Sequence, residues 1–183
     1  MMIWPLLRRN QRPDTISTLY GTIVAQARLP CFYRDYAVAD SLSGRFDLIV
    51  LHLALALERF SADSVLRDLG QRLFDRFCRD MDDNLREMGV GDLRVPKEMR
   101  RIGDAFYGRF RAYRAALNAG RDQELIPVIA RNVYGAAAGP QAVARCLAAY
   151  MQQAASALRA QEAKALACGA FYFLDPAAIA KVA

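Results

Sequence analysis

Along most of the chain the apolar positions recur at three- and four-residue intervals, the spacing that puts them on one face of a helix. Asp14 or Thr15 can cap a first helix with Ile16, Leu19, Tyr20, Ile23, Val24 and Ala27 on its buried face, and Pro30 stops it. Residues 31–46 read as an ordered loop, because leaving Phe32, Tyr33 and Tyr36 in water would be costly. A second helix over 41–60 is apolar on almost every side, with Asp47 and Glu58 near its two ends, and belongs at the centre of a bundle. A third, from Asp63 to Met88, carries a stripe of Leu66, Leu69, Leu73, Phe77, Met81, Leu85 and Met88.

After the Gly-Val-Gly-Asp run at 89–92, Pro96 suits the first turn of a fourth helix that ends near Gly120. Met99, Ile102, Phe106, Phe110, Tyr113 and Leu117 form its apolar face. A fifth, from Asp122 to Gly135, is interrupted by Pro127, and a sixth, Ala-rich, runs from Pro140 towards Gly169. The apolar tail, 170–183, stays unassigned, with docking on the bundle or on a partner both open. No strand alternation and no repeat is visible. The expectation is an all-α, single-domain bundle of about six helices over 14–183, preceded by a flexible arm at 1–13.

Composition narrows the class. The chain has 183 residues, Lys and Arg exceed Asp and Glu by 25 to 19, and there is one histidine. This excess supports weak attraction to anionic surfaces without naming one, and nothing points to specific DNA. The four cysteines form no closely spaced pair and lie in or beside apolar stretches, so reduced core thiols in a reducing compartment are expected. The longest apolar run, 48–57, is about half of the ~20 residues needed to span a bilayer. In the arm, Trp4, Leu6 and Leu7 with Arg8, Arg9 and Arg12 could provide a weak interfacial membrane contact.

Candidate chemistry is sparse. Asp80, Asp83 and Glu87 share one face of the third helix, opposite its apolar stripe. A di-metal bundle site would need Glu-x-x-His spacing, which is absent. Three readings are open: a solvated or internally paired face, a partner-contact face, or a metal site. Gly89 reads as the left-handed residue that ends the helix, and the run at 89–92 lacks the spacing of a phosphate loop. His52 reads as a core or boundary histidine hydrogen-bonded within the bundle. With no nucleophile, metal or phosphate signature, the chain is read as non-enzymatic and without a cofactor. In the fourth helix, Lys97, Arg100, Arg101, Arg109, Arg111 and Arg114 interleave with aromatics, a composition common at recognition surfaces. Gly103 and Gly108 within it suggest that another backbone approaches closely.

The blocks at 44–60 and 73–113, and more weakly 128–135, resemble the ubiquinol–cytochrome c chaperone family, and residues 3–30 have the look of its alphaproteobacterial branch. The resemblance implies a chaperone that binds newly made cytochrome b and promotes assembly of the ubiquinol–cytochrome c reductase. It also implies a small partner protein in the mitochondrial relatives; ribosome docking, known there, is not assumed. A cytoplasmic protein at the inner face of a bacterial membrane is expected. The binding face is expected at the end of the third helix, the following turn and the fourth helix, through Asp83, Arg86, Glu87, Lys97, Tyr107, Arg109 and Arg111. The alternative is a helical carrier of a small apolar ligand, quinone or haem, within the bundle.

Overall fold

The computed structural model describes residues 14–120, 122–135 and 141–180. The arm and its candidate membrane contacts, Trp4, Leu6, Leu7, Arg8, Arg9 and Arg12, lie outside the described residues. Among the described residues all regular structure is helical. The long helices are α1 (Thr15–Ala27), α3 (Leu42–Ser61), α4 (Arg67–Glu87), α5 (Val95–Ala119), α6 (Asp122–Val133) and α7 (Gln141–Ala160). Three five-residue helices, α2 (Pro30–Arg34), α8 (Ala163–Ala167) and α9 (Pro176–Ala180), sit in the connections and tail.

The centre is α3. Leu48 to Ala56 are buried without a break, and α1, α4, α5, α6 and α7 all pack around it. Ser41 caps it, its Oγ accepting the Gly44 N–H at 3.1 Å. Gly44 has no room for a side chain, since a Cβ there would stand 2.0 Å from the Ala39 carbonyl oxygen. Gly70 is also close-packed, 3.3 Å from Phe60 Cβ by the same construction. Gly103 and Gly108 are different: nothing lies within 4 Å of either, so the expected close approach at these positions is absent. Their cost is simply a locally weaker helix.

The α4–α5 connection follows from its glycine. Gly89 has φ +79°, its N–H bonds the Arg86 carbonyl, and the Val90 N–H bonds the Leu85 carbonyl at 3.0 Å. This is the paired pattern that satisfies the last carbonyls of a helix. Pro30 opens α2 after the two-residue interruption at Arg28 and Leu29, and the expected loop is partly this short helix, with Phe32 and Tyr36 wholly buried.

The sixth predicted helix stops at Ala160, short of Gly169, because the chain turns to lay its tail on the bundle. Gln161 grips Tyr172 from both sides, Nε2 donating to its carbonyl at 2.8 Å and Oε1 accepting its N–H at 3.3 Å. Arg59 from α3 bonds the Leu158 and Gln161 carbonyls. Phe171 and Ile179 are buried, so the tail docks on its own bundle. Of the cysteines, Cys31 is buried, Cys78 and Cys146 are half-buried and Cys168 is exposed. All four are free, but the expectation of four core thiols holds fully only for Cys31.

His52 lies at the heart of this packing with no exposure. Its Nδ1 is 2.7 Å from the Leu48 carbonyl, which can only accept, so Nδ1 carries the proton and Nε2 accepts from the Tyr150 hydroxyl at 2.8 Å. Gln26 Nε2 then donates to Tyr150 at 3.0 Å and to the Leu174 carbonyl at 2.8 Å. Phe32, Tyr150 and Phe173 surround the imidazole edge-on or tilted. Burial pushes its pKa down to about 4, so the ring is neutral.

Candidate protein-binding groove

An open groove of about 470 Å³ lies between the C-terminal end of α1, the first half of α3, the last turns of α4 and the first half of α5. Its floor and walls are mostly apolar: Leu42, Phe46 and Ile49 from α3, Met81, Leu85 and Met88 from α4, Ile102 and Ala105 from α5. Leu42 is 76% and Met88 59% exposed, and with the apolar lining between them they form a contiguous apolar patch open to solvent. Leu93, in the turn joining α4 to α5, is 98% exposed. The sequence pattern places Met81, Met88 and Ile102 on buried stripes. The structure brings those stripes to a gap where α4 and α5 do not close over α3, leaving Met81 and Ile102 half-buried and Met88 open.

The rim is polar. Arg45 pairs with Asp40 at 2.8 Å and Arg101 with Glu98 at 3.1 Å, while Arg28 has no carboxylate partner among the described residues. Lys97, one turn before Arg101, extends this edge, exposed and unpaired among the described residues. Exposed pairs of this kind contribute at most about 1 kcal/mol each, so the rim orients a visitor more than it holds one.

The seven residues expected to form one binding face are distributed over several. Helical phase turns Asp83, Arg86 and Glu87 away from Met81, Leu85 and Met88. Arg86 is taken up by Asp82 and Asp92, whereas Asp83 and Glu87 are exposed without an ion-pair partner among the described residues. Asp80 accepts the Tyr20 hydroxyl at 2.8 Å and faces Arg76, so part of the acidic run serves internal packing. Tyr107 and Arg111 lie on the side of α5 opposite the groove. Tyr107 is 52% exposed at the edge of a second, shallower slot of about 170 Å³ with Leu57, Phe74, Phe106 and Phe110. Arg111 is exposed and unpaired among the described residues.

Arg109 is a correction. It does not face outward for a partner: its Nη2 is 2.8 Å from Asp47 Oδ1, and its side chain is largely buried. The guanidinium lies 5.8 Å from the centre of the Phe46 ring, and Nη1 donates to the Ala105 carbonyl at 3.3 Å. The pull is electrostatic, since Asp47 is buried and needs a counter-charge. Sequence spacing alone cannot reveal a partner so far along the chain. The ion pair is not aligned as a hydrogen bond, so Asp47 Oδ1 and Arg109 Nε are buried without one, as are the nearby Tyr113 hydroxyl and Asn132 Nδ2. Burial outweighs the attraction of Arg109 and pushes the Asp47 carboxyl up to about 6.

Nor does the bundle interior have the features of a ligand carrier built on His52. Both ring nitrogens are occupied, and three aromatic rings close around it. No group of three or more potential metal ligands converges among the described residues, and no helix there is long and apolar enough to cross a membrane. Among the groove residues that sequence reasoning passed over are Arg28, Leu42 and Phe46. Leu42, directly after the Ser41 cap, is the one whose position could have suggested exposure.

Comparison with known proteins converges on one family. The family model described as ubiquinol-cytochrome C chaperone matches residues 34–173, which include most of the groove and the whole of α3, α4 and α5. No curated protein sequence matches the chain. The crystal structure of the Cbp3 homolog from Brucella abortus superposes with a TM-score of 0.80 at 38% sequence identity, over 89% of this chain and 90% of that one. The chain belongs to the ubiquinol-cytochrome c chaperone family.

Proposed function

We propose that this protein is a non-enzymatic assembly chaperone that receives an apolar helical segment of newly made cytochrome b in the α1–α3–α4–α5 groove and promotes assembly of the ubiquinol–cytochrome c reductase. The observation that carries this reading is the groove itself, open and lined by apolar side chains that include two methionines. An amphipathic or apolar helix buries its face in such a groove through anchors at i, i+3, i+4 and i+7. Methionine suits a client segment of variable shape, because its unbranched, polarizable side chain repacks at little cost. Basic groups at the rim, Arg28 and Lys97, favour a client with acidic flanks and a position beside anionic head groups at the membrane's inner face. Asp83, Arg86 and Glu87 on the outer face of α4, and Tyr107 and Arg111 on the far face of α5, are proposed as secondary contacts for the client or a small partner protein.

A photocrosslinking amino acid at position 42 or 88 should capture cytochrome b in the host, and Met88→Glu should lower the cytochrome b content of membranes while the purified protein stays folded. Normal cytochrome b accumulation with Met88→Glu and Leu42→Glu combined would rule out the groove. If the adduct is a quinone or another small apolar molecule, the carrier reading takes its place.

A further inference from the structure

We propose that Arg109 is a positioning residue for the groove: anchored on Asp47, it holds the α3 and α5 walls in register from behind, and gain of a proton by Asp47 releases them. The geometry is specific to this side chain. Phe46 and Ala105 line the groove from opposite walls. Arg109 touches both, through the Phe46 ring and the Ala105 carbonyl, while Asp47, the residue after Phe46, holds its guanidinium. One side chain therefore links the two walls, and its own place depends on one carboxylate.

That anchor is poorly furnished. A buried carboxylate normally collects several hydrogen bonds, yet Asp47 has Ser43 and a misaligned Arg109 contact that leaves Oδ1 unbonded, and Arg109 Nε, Tyr113 Oη and Asn132 Nδ2 beside it also lack aligned partners. The groups facing Asp47 are Arg109 and Tyr113 from α5 and Ser43 from α3. Asn132 of α6 lies beside the Tyr113 hydroxyl, and the positive charge of Arg131 on the same helix acts on it through space. Arg109 is the charge among them that directly favours the carboxylate, and burial outweighs it, which puts the titration of Asp47 at about 6. Below that pH the ion pair loses its negative member, and Arg109 becomes a largely buried cation with no counter-charge. Its release towards water removes the shared prop from Phe46 and Ala105. The second tie between α3 and α5, Arg114 to Glu58 at 3.0 Å, stands further along both helices and does not touch the groove.

The inference rests on the groove being the client site, but its test reads the groove directly. With the full chain labelled at its methionine methyls, the resonances of Met81 and Met88 should titrate with a midpoint near that of the Asp47 carboxyl between pH 5 and 8, while Met151, wholly buried elsewhere, stays still. Asp47→Asn should abolish the titration. Should that variant not fold, Arg109→Gln provides the same test, and Arg109→Lys, which keeps a cation on Asp47, should restore the pH response that Gln removes. Methyl resonances that do not move with pH, or that move identically in Asp47→Asn or Arg109→Gln, would overturn the proposal. If the methyls titrate as stated while crosslinking at 42 and 88 captures nothing, the client reading fails and the latch stands.

Discussion

Asp47 and His52 lie five residues apart on the same central helix, both are taken out of water, and the fold treats them in opposite ways. His52 is neutral, and both of its nitrogens are satisfied by a directed chain from Gln26 through Tyr150 to the Leu48 carbonyl. Asp47 has one counter-charge, Arg109, and the neighbouring Ser43, in a cluster with four polar atoms lacking an aligned partner. The difference is one of location. The complete network joins α1, α3, α7 and the tail in the centre of the molecule, where an unpaired group costs about 1–3 kcal/mol and offers nothing in return. The incomplete one lies behind the groove, where α3, α4 and α5 fail to close. Strain and unmet hydrogen bonds concentrate where a protein keeps a surface open for use.

Breaking the satisfied side of this comparison should have the largest effect. His52→Leu leaves the Tyr150 hydroxyl buried with Gln26 alone and disturbs a close-packed ring cluster; a loss of about 3 kcal/mol in denaturant stability is expected. Tyr150→Phe, which keeps the ring but orphans His52 Nε2 and one Gln26 contact, should cost about 1–3 kcal/mol. Because Gln26 also holds the Leu174 carbonyl, amide exchange in the tail should accelerate in both variants before global unfolding. A tail as protected as in the wild type would show that the network does not fasten it.

Acid sharpens the same contrast, because the two groups bear on stability with opposite sign. His52 titrates at about 4 in the fold and 6.5 in a free chain, so as pH falls from 6.5 to 4 the unfolded chain takes a proton that the folded one refuses, and stability drops. Asp47 titrates at about 6 in the fold and 3.8 in a free chain, so over pH 6 to 3.8 the folded chain takes the extra proton and stability rises. At about 1.4 kcal/mol per pH unit, each effect is on the order of 3 kcal/mol across its window. In the wild type they largely cancel. Relative to wild type, Asp47→Asn should lose stability with acid below pH 6, and His52→Gln should gain it. Parallel pH profiles for both variants and the wild type would remove the opposition.

How much of this was legible in the sequence depends on the range of the interaction. Helix spans, the glycine stop at Gly89 and the central place of α3 follow from local periodicity and capping, and they recur in the structure with shifts of a few residues at the ends. The family resemblance and the helical bundle were equally readable. The groove was not, because a stripe of apolar residues looks the same whether its neighbour closes over it or stops short. Met88 is indistinguishable by spacing from Leu85. Pairings such as Arg109 with Asp47, or His52 with Tyr150, depend on how distant helices cross, and no window of local sequence contains both partners. Gly103 and Gly108 show the reverse error, since glycine in a helix suggested contact where there is open space.

The smallest effects on stability are expected where the functional ones are concentrated. Met88→Glu and Leu42→Glu change exposed side chains, so folding stability should stay within about 0.5 kcal/mol of wild type while cytochrome b content falls. Lys97→Glu at the groove edge should act more weakly, slowing client association and changing its salt dependence more than the lifetime of the complex. Glu87→Lys and Arg111→Glu leave stability equally untouched, since neither has an ion-pair partner among the described residues, and they separate the outer faces from the groove. If Arg111→Glu lowers assembly as much as Met88→Glu does, the contact surface must wrap α5 from the groove to the Tyr107 slot, and a client lying in the groove alone is too small a picture. If it changes nothing while Met88→Glu does, the unpaired charges of α5 are solvated surface, and recognition is confined to the apolar cleft propped by Arg109.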